Sequence, residues 1–153
     1  MTMDPAPDPL ELALQEHFGW SAFRPGQRAV VEAMLAGRDC LAVLPTGAGK
    51  SLCYQLPALV RGGLVLVISP LVALMEDQVQ HLQRRGIAAA CLHRGLDAAR
   101  RLDLIQRVRS NRLRLLYLAP ERLQAEATRQ LLEELQEDGR LVGVAIDEAH
   151  CIS

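Results

Sequence analysis

Aromatic side chains are scarce in this chain: two Phe, two Tyr and one Trp among 153 residues. Its core must therefore be aliphatic, and the few rings are informative by position. Lysine is scarcer still. Of 17 cationic residues 16 are arginine, and the single lysine is Lys50. Long apolar runs are also missing. The longest, LVLVISPLVALM, is broken by Ser69 and Pro70 and is shorter than the roughly 20 residues a membrane-spanning helix needs, so no membrane partner is expected. The opening MTMDPAPD carries acid and proline where an export signal carries basic charge and then an apolar core. Cys40, Cys53, Cys91 and Cys151 include no C-x-x-C pair, and no histidine stands at zinc spacing from any pair of them. They are expected to be buried, reduced thiols, which points to the cytoplasm. An excess of positive charge is absent too. With a net charge of -1, any polyanionic partner must be held by local groups.

Half of the residues are apolar, enough for one domain with its own core. Residues 1–8 are expected to form a disordered tail ahead of a domain over 9–153, although Asp8 with Glu11 also forms a capping-box pattern. Pro9 suits a first helical position, and Leu10, Ala13, Leu14 and Phe18 repeat at helical spacing. This predicts a helix to about Gly19. QRAVVEAMLAG predicts a second, closed by Gly37. Then come five short continuous apolar runs, CLAVLP, LVLVIS, AAACLH, LRLLYLA and LVGVAI, which suit strands buried on both faces. Helical stripes lie between them: Leu71, Met75, Val79 and Leu82; Leu102, Ile105 and Val108; and the segment RQLLEELQ. Such alternation predicts an α/β fold with a parallel sheet and ligands beyond the carboxyl ends of its strands.

The lone lysine has a context. Thr46, Gly47, Ala48, Gly49, Lys50 and Ser51 stand between a predicted strand and a predicted helix. Glycines let backbone N–H groups turn inward around a polyphosphate, and the helix start adds unpaired N–H groups and the positive end of its dipole. The lysine ammonium is then expected to reach the outer phosphates, and Ser51 to offer its hydroxyl to Mg²⁺. The strict pattern G-x-x-x-x-G-K is missed, because Leu44 occupies its first glycine position. LVGVAI ends in Asp147 and Glu148. In phosphate-loop enzymes an acid at a strand end holds hydrated Mg²⁺ and a second orients the attacking water, roles expected here of Asp147 and Glu148 respectively. His150 either couples this site to another segment or fills space.

FGWSAFRPGQ, LPTGAGKSLCYQLPAL, ISPLVALMEDQV, LLYLAPERL and DEAHCIS, in this order, make the chain from Leu10 to Ser153 resemble the start of a RecQ-family ATP-dependent DNA helicase, a superfamily 2 motor. The resemblance implies a P-loop NTPase (RecA-like) three-layer α/β/α domain with a mainly parallel sheet, ending after the strand that carries the DEAH motif. It implies ATP and Mg²⁺, 3′-to-5′ unwinding in recombination and repair, and DNA as partner, both single strand and tailed duplex. Trp20, Arg24 and Gln27 match the family's adenine-recognition motif, the aromatic stacking on the base and the amide reading its edge. Phe18 and Phe23 are expected to anchor that stretch. The segments at Ser69–Pro70 and at Arg122 match those that track one DNA strand, each with a proline expected at the first position of a helix. Ser69 also suits an N-cap, and Arg122 suits either a phosphate or a neighbouring acid. Where relatives have Asn and Ser after the third strand this chain has LHRGL, so His93 and Arg94 receive no role. The family continues past DEAHCIS into a second motor domain, so the chain is expected to be the N-terminal part of the first and inactive in unwinding by itself. A DEAH- or DEAD-type RNA helicase shares the loop and the acids but not the FRPGQ and SPLVALMEDQ pairing. A nucleotide- or strand-binding module without turnover is the third reading.

Overall fold

The computed structural model describes residues 6, 8–42, 49–93 and 95–147. Most of the expected tail lies outside them. Asp8 is within, and its Oδ1 accepts from the Leu10 N–H at 2.9 Å, capping helix α1 (Pro9–Phe18), which ends at Gly19 in a left-handed conformation. Asp8 also ion-pairs with Arg28 on helix α2 (Gln27–Leu35) and so ties the first two helices together.

After helix α3 (Leu52–Arg61) the chain alternates: β1 (Leu64–Ile68), α4 (Val72–Arg84), β2 (Ala89–Leu92), α5 (Ala98–Arg109), β3 (Leu115–Leu118), a 3₁₀ turn (Pro120–Gln124), α6 (Glu126–Glu137) and β4 (Leu141–Ile146). The four strands pair in parallel in the order β2-β3-β1-β4. Four of the five expected strands are therefore present. Of the other, CLAVLP, residues 40–42 are exposed and carry no secondary structure, and residues 43–45 lie outside the described residues.

Alternate residues of β1 and β3 enter opposite cores, whereas on β4, at the end of the strand order, Val144 and Ile146 are exposed, against the expectation of burial on both faces. Val65, Val67, Leu115 and Tyr117 pack with Tyr54 and Ala58 of α3 and with Met75, Val79 and Leu82 of α4. Leu64, Leu66, Ile68, Leu116 and Leu118 pack with Leu104 and Val108 of α5 and with Leu131 and Leu135 of α6. Helices thus cover both faces of the central strands, which is why β1 and β3 read as continuous apolar runs and why the layers are α/β/α. A third cluster, Leu14, Val31, Leu52 and Leu56, seats α1 and α2 against α3.

Two predicted stripes hold except for one member each. On α5 the buried pair is Leu104 and Val108, four residues apart, while Leu102 is 63% exposed, because two residues on a helix turn through about 200°. Leu71 precedes α4 and is exposed rather than buried.

The strand ends are flush. Ile68 lies opposite both Leu118 and Ile146, and Leu118 opposite Leu92. Ser69, Ala119 and Asp147, each the next residue, therefore emerge together at the carboxyl edge of the sheet. The Asp147 N–H donates to Ile68 O at 2.9 Å, and the Ser69 N–H to Leu118 O at 3.1 Å.

Candidate nucleotide and strand site

Four of the expected site residues, Thr46, Gly47, Ala48 and Glu148, lie outside the described residues, as do Arg94, His150 and Cys151. The rest fall into two groups along the carboxyl edge.

The first group lies around Lys50 and Ser51. Lys50 Nζ lies 3.3 Å from Asp147 Oδ1, with the carboxylate largely buried. Tyr54, one turn into α3, donates its hydroxyl to Asp147 Oδ2 at 3.1 Å. Burial, and then the nearby Tyr117 and Asp147, push the Tyr54 hydroxyl far above its ordinary range, so it remains a proton donor to the carboxylate. Ser51, at the start of α3, accepts from Gln78 Nε2 at 3.1 Å. Gln78 Oε1 accepts from Gln55 Nε2 at 3.2 Å, and the same Gln55 nitrogen donates to the Tyr117 hydroxyl at 3.0 Å. Tyr117 meets Tyr54 edge to face, with ring centroids 6.4 Å apart. Its hydroxyl is pushed up to about 12 by burial, against hydrogen bonds to Gln55 and Tyr54 that lower it.

Gln27, Arg24 and Trp20 sit beside this group. Gln27 is 2% exposed; its Oε1 accepts from the Arg24 N–H at 2.8 Å and its Nε2 donates to Gly49 O at 3.1 Å. Gly49 has φ +74°, and a Cβ there would lie 2.6 Å from Gln27 Nε2, so glycine is required on both counts. The amide expected to read a base edge is thus also the strut of the phosphate loop. The Arg24 guanidinium lies 4.3 Å from the centroid of the partly exposed Trp20 ring. Phe18 and Phe23 pack against the apolar clusters as anchors.

The second group follows β1 and β3. Ser69 is buried, and its Oγ accepts from the Leu71 N–H at 3.3 Å, closing a short turn. Pro70 does not open a helix as expected: α4 begins at Val72, because this turn separates it from the strand. Pro120 does occupy the first position of its 3₁₀ turn. Among the described residues no carboxylate lies within ion-pair distance of Arg122, and its Nε is buried without a hydrogen-bond partner.

Reasoning from sequence alone missed Tyr54, Gln55, Gln78 and Tyr117. A signal was available: seven consecutive residues of α3, Leu52 to Ala58, are buried, and a glutamine in such a run must find a partner. His93, given no role, approaches Glu76 on α4 at 3.1 Å. Of the cysteines, Cys53 is buried and its thiol is pushed up to about 11 by burial. Cys91 is half-buried and likewise raised, while Cys40 is exposed, against expectation, because residues 40–42 lie outside the sheet.

Helices thus pack on a parallel sheet, with the lysine–acid pair and the start of α3 together at its carboxyl edge, an arrangement shared by α/β nucleotide-binding folds. The chain belongs to the DEAD/DEAH box helicase family, which it matches over residues 24–153. It is 51% identical over 143 residues to the ATP-dependent DNA helicase RecQ of Synechocystis, a match covering 94% of this chain and 30% of that protein. It is 46% identical over 145 residues to the probable ATP-dependent DNA helicase RecS of Bacillus subtilis, covering 94% and 28%. The chain therefore spans less than a third of the length of these relatives. Among solved structures, the DUF1998 helicase MrfA bound to DNA and AMPPNP superposes with a TM-score of 0.74 at 22% identity, over 96% of this chain and 22% of that one. No helix among the described residues is long and apolar enough to cross a membrane.

Proposed function

We propose that this chain is the ATP-binding part of a 3′-to-5′ DNA-unwinding ATPase of the RecQ type. The observation that carries the reading is the Lys50–Asp147 pair at 3.3 Å, set with Ser51 at the carboxyl edge of the sheet. The two charges neutralise each other until a polyphosphate and its cation offer each a new partner. Lys50 then turns to phosphate oxygens, and Asp147 and Ser51 face the metal. Both offer oxygen, the donor Mg²⁺ takes, and one or two protein oxygens suffice when water and phosphates complete its octahedron. Among the described residues no cluster of three His, Cys, Asp or Glu competes for a metal. Mg²⁺, when bound, neutralises charge on the phosphate oxygens.

Thr46, Gly47, Ala48 and Gly49 cradle the phosphates through backbone N–H groups, and Glu148 orients the attacking water. Trp20 and Arg24 cover the base, while Gln27 joins the base pocket to the loop. The turn Ser69–Pro70–Leu71 and the segment Pro120 to Arg122 take one DNA strand; that no carboxylate among the described residues lies within ion-pair distance of Arg122 favours a phosphate over a protein acid there. Relatives named as DNA helicases support DNA over RNA.

Mg²⁺-ATP at 100 times Kd should raise the stability of the chain by about 2.7 kcal/mol, and Lys50→Ala should abolish the gain. Equal thermal shifts in both proteins would remove the phosphate role from Lys50. In a version extended through a second motor domain, single-stranded DNA should stimulate hydrolysis more than RNA of the same length. The reverse order would assign the chain to the RNA-helicase reading.

A further inference from the structure

The side chains around Ser51 do more than fill a core. Gln78 lies on α4, the helix that begins directly after the Ser69–Pro70–Leu71 turn, and its amide reaches back to the Ser51 hydroxyl at 3.1 Å. Gln55 holds the other end of that amide and at the same time holds the hydroxyl of Tyr117, on the strand that leads into Pro120 and Arg122. Polarity along the chain is fixed. Because Gln78 Oε1 accepts from Gln55, its N–H group is the one presented to Ser51. Gln55 is 4% exposed and Tyr117 1%. Burying the Gln55 amide and the Tyr117 hydroxyl in a largely apolar core costs free energy unless each is paired, so these two hold one arrangement and anchor the half-buried Gln78 from one end.

A serine oxygen has two lone pairs. One taken by Gln78 leaves one for a metal, and the direction of the second is set by the first. A displacement of α4 along its axis therefore moves the Ser51 lone pair, and a change at Ser51 pulls on α4.

We propose that Gln78 is a positioning residue that ties the Ser51 hydroxyl to α4, so that strand binding at the start of α4 and metal–nucleotide binding at Ser51 are energetically coupled. The proposal rests on the nucleotide and strand assignments made above. Coupling between two sites is reciprocal, so it can be read from either side.

The test uses the 153-residue chain and measures the affinity for fluorescein-labelled oligo(dT), with and without saturating Mg²⁺-AMPPNP. Wild type should show a change of about 5-fold or more, the lower end of ordinary coupling. Gln78→Met, which keeps the volume and removes both hydrogen bonds, should bring that ratio below about 2-fold. A purely structural role would lower the thermal midpoint and leave the ratio as in wild type, and that result overturns the proposal. So does a wild-type protein that binds both ligands without any coupling. If wild type binds no nucleotide or no oligo(dT), the assignment beneath the proposal falls with it, an outcome separately visible in the two single-ligand titrations. Tyr117→Phe provides a second variant, since it removes one hydroxyl from the network and keeps the ring. Its ratio should also fall, and wild-type coupling in a folded Tyr117→Phe protein counts against the relay even where Gln78→Met fails to fold.

Discussion

The two faces of the sheet are built from the same strands but to different standards. On the α5–α6 side the buried side chains of β1 and β3 are Leu64, Leu66, Ile68, Leu116 and Leu118, and their buried helical partners are aliphatic apart from Thr128 of α6. On the α3–α4 side the core is interrupted by Tyr54, Tyr117 and the buried Gln55; Tyr54 bonds Asp147, and Gln55 joins Tyr117 to Gln78, which in turn bonds Ser51. One face supplies cohesion alone. The other gives up some apolar contact to hold a lysine–acid pair and a serine hydroxyl in fixed directions. The contrast lies in the linked polar groups: on the α3–α4 side those inside the core orient Ser51 and Asp147 at the rim.

That contrast can be broken by mutation. Leu116→Ala, in the middle of β3 on the aliphatic side, should lower stability by about 2–5 kcal/mol in denaturant unfolding. Nucleotide affinity of the folded fraction should stay near wild type; a loss of affinity comparable to the loss of stability would show that the two faces are not separable. Gln27→Ala should cost about 1–3 kcal/mol, because it strips Gly49 O and the Arg24 N–H of a partner at a buried position. It should also erase the preference for ATP over GTP. An unchanged ratio of the two affinities would reassign Gln27 from base recognition to loop support alone.

The smallest effect concerns alkaline pH. An acid whose proton is held more tightly in the folded state contributes stability below its unfolded pKa and loses it as pH rises toward the folded value. For Tyr117 that window runs from 10 to about 12, with a slope of about 1.4 kcal/mol per pH unit. Tyr117→Phe should lower the slope by that amount, leaving the contributions of Tyr54 and, up to about 11, of Cys53 and Cys91; the aliphatic residues of the α5–α6 core contribute nothing there. A curve of unchanged slope would mean that the tyrosine opens to water before the domain unfolds.

Much of the fold is legible because helices cover both faces of the central strands: β1 and β3, buried on two sides, appear as unbroken apolar runs, while β4 shows the same kind of run with Val144 and Ile146 exposed. The failures have local causes. The α5 stripe was read through Leu102 because apolar spacing alone does not say which of two neighbouring leucines faces inward; Arg101, Leu104, Ile105 and Val108 form the inner side and Leu102 the outer. Pro70 was placed in a helix because the turn closed by Ser69 Oγ leaves no mark on periodicity. At the site, the motifs named the ends of the network, Lys50, Ser51 and Asp147. Gln55 and Gln78 lay inside quoted segments yet carried no visible role, since their partners are 23 and 62 residues away in sequence.

The contact between Gln27 and Gly49 limits how this loop can be transplanted. A designer who grafts Gly49, Lys50 and Ser51 onto another parallel sheet carries over a turn whose carbonyl is held by an amide 22 residues upstream, on a different helix. Without a donor in the place of Gln27 the graft has the right letters and an untethered backbone. Any residue larger than glycine at the recipient position would collide with the donor that cures the first defect. The transferable unit is the α2 start, the loop and the α3 start together.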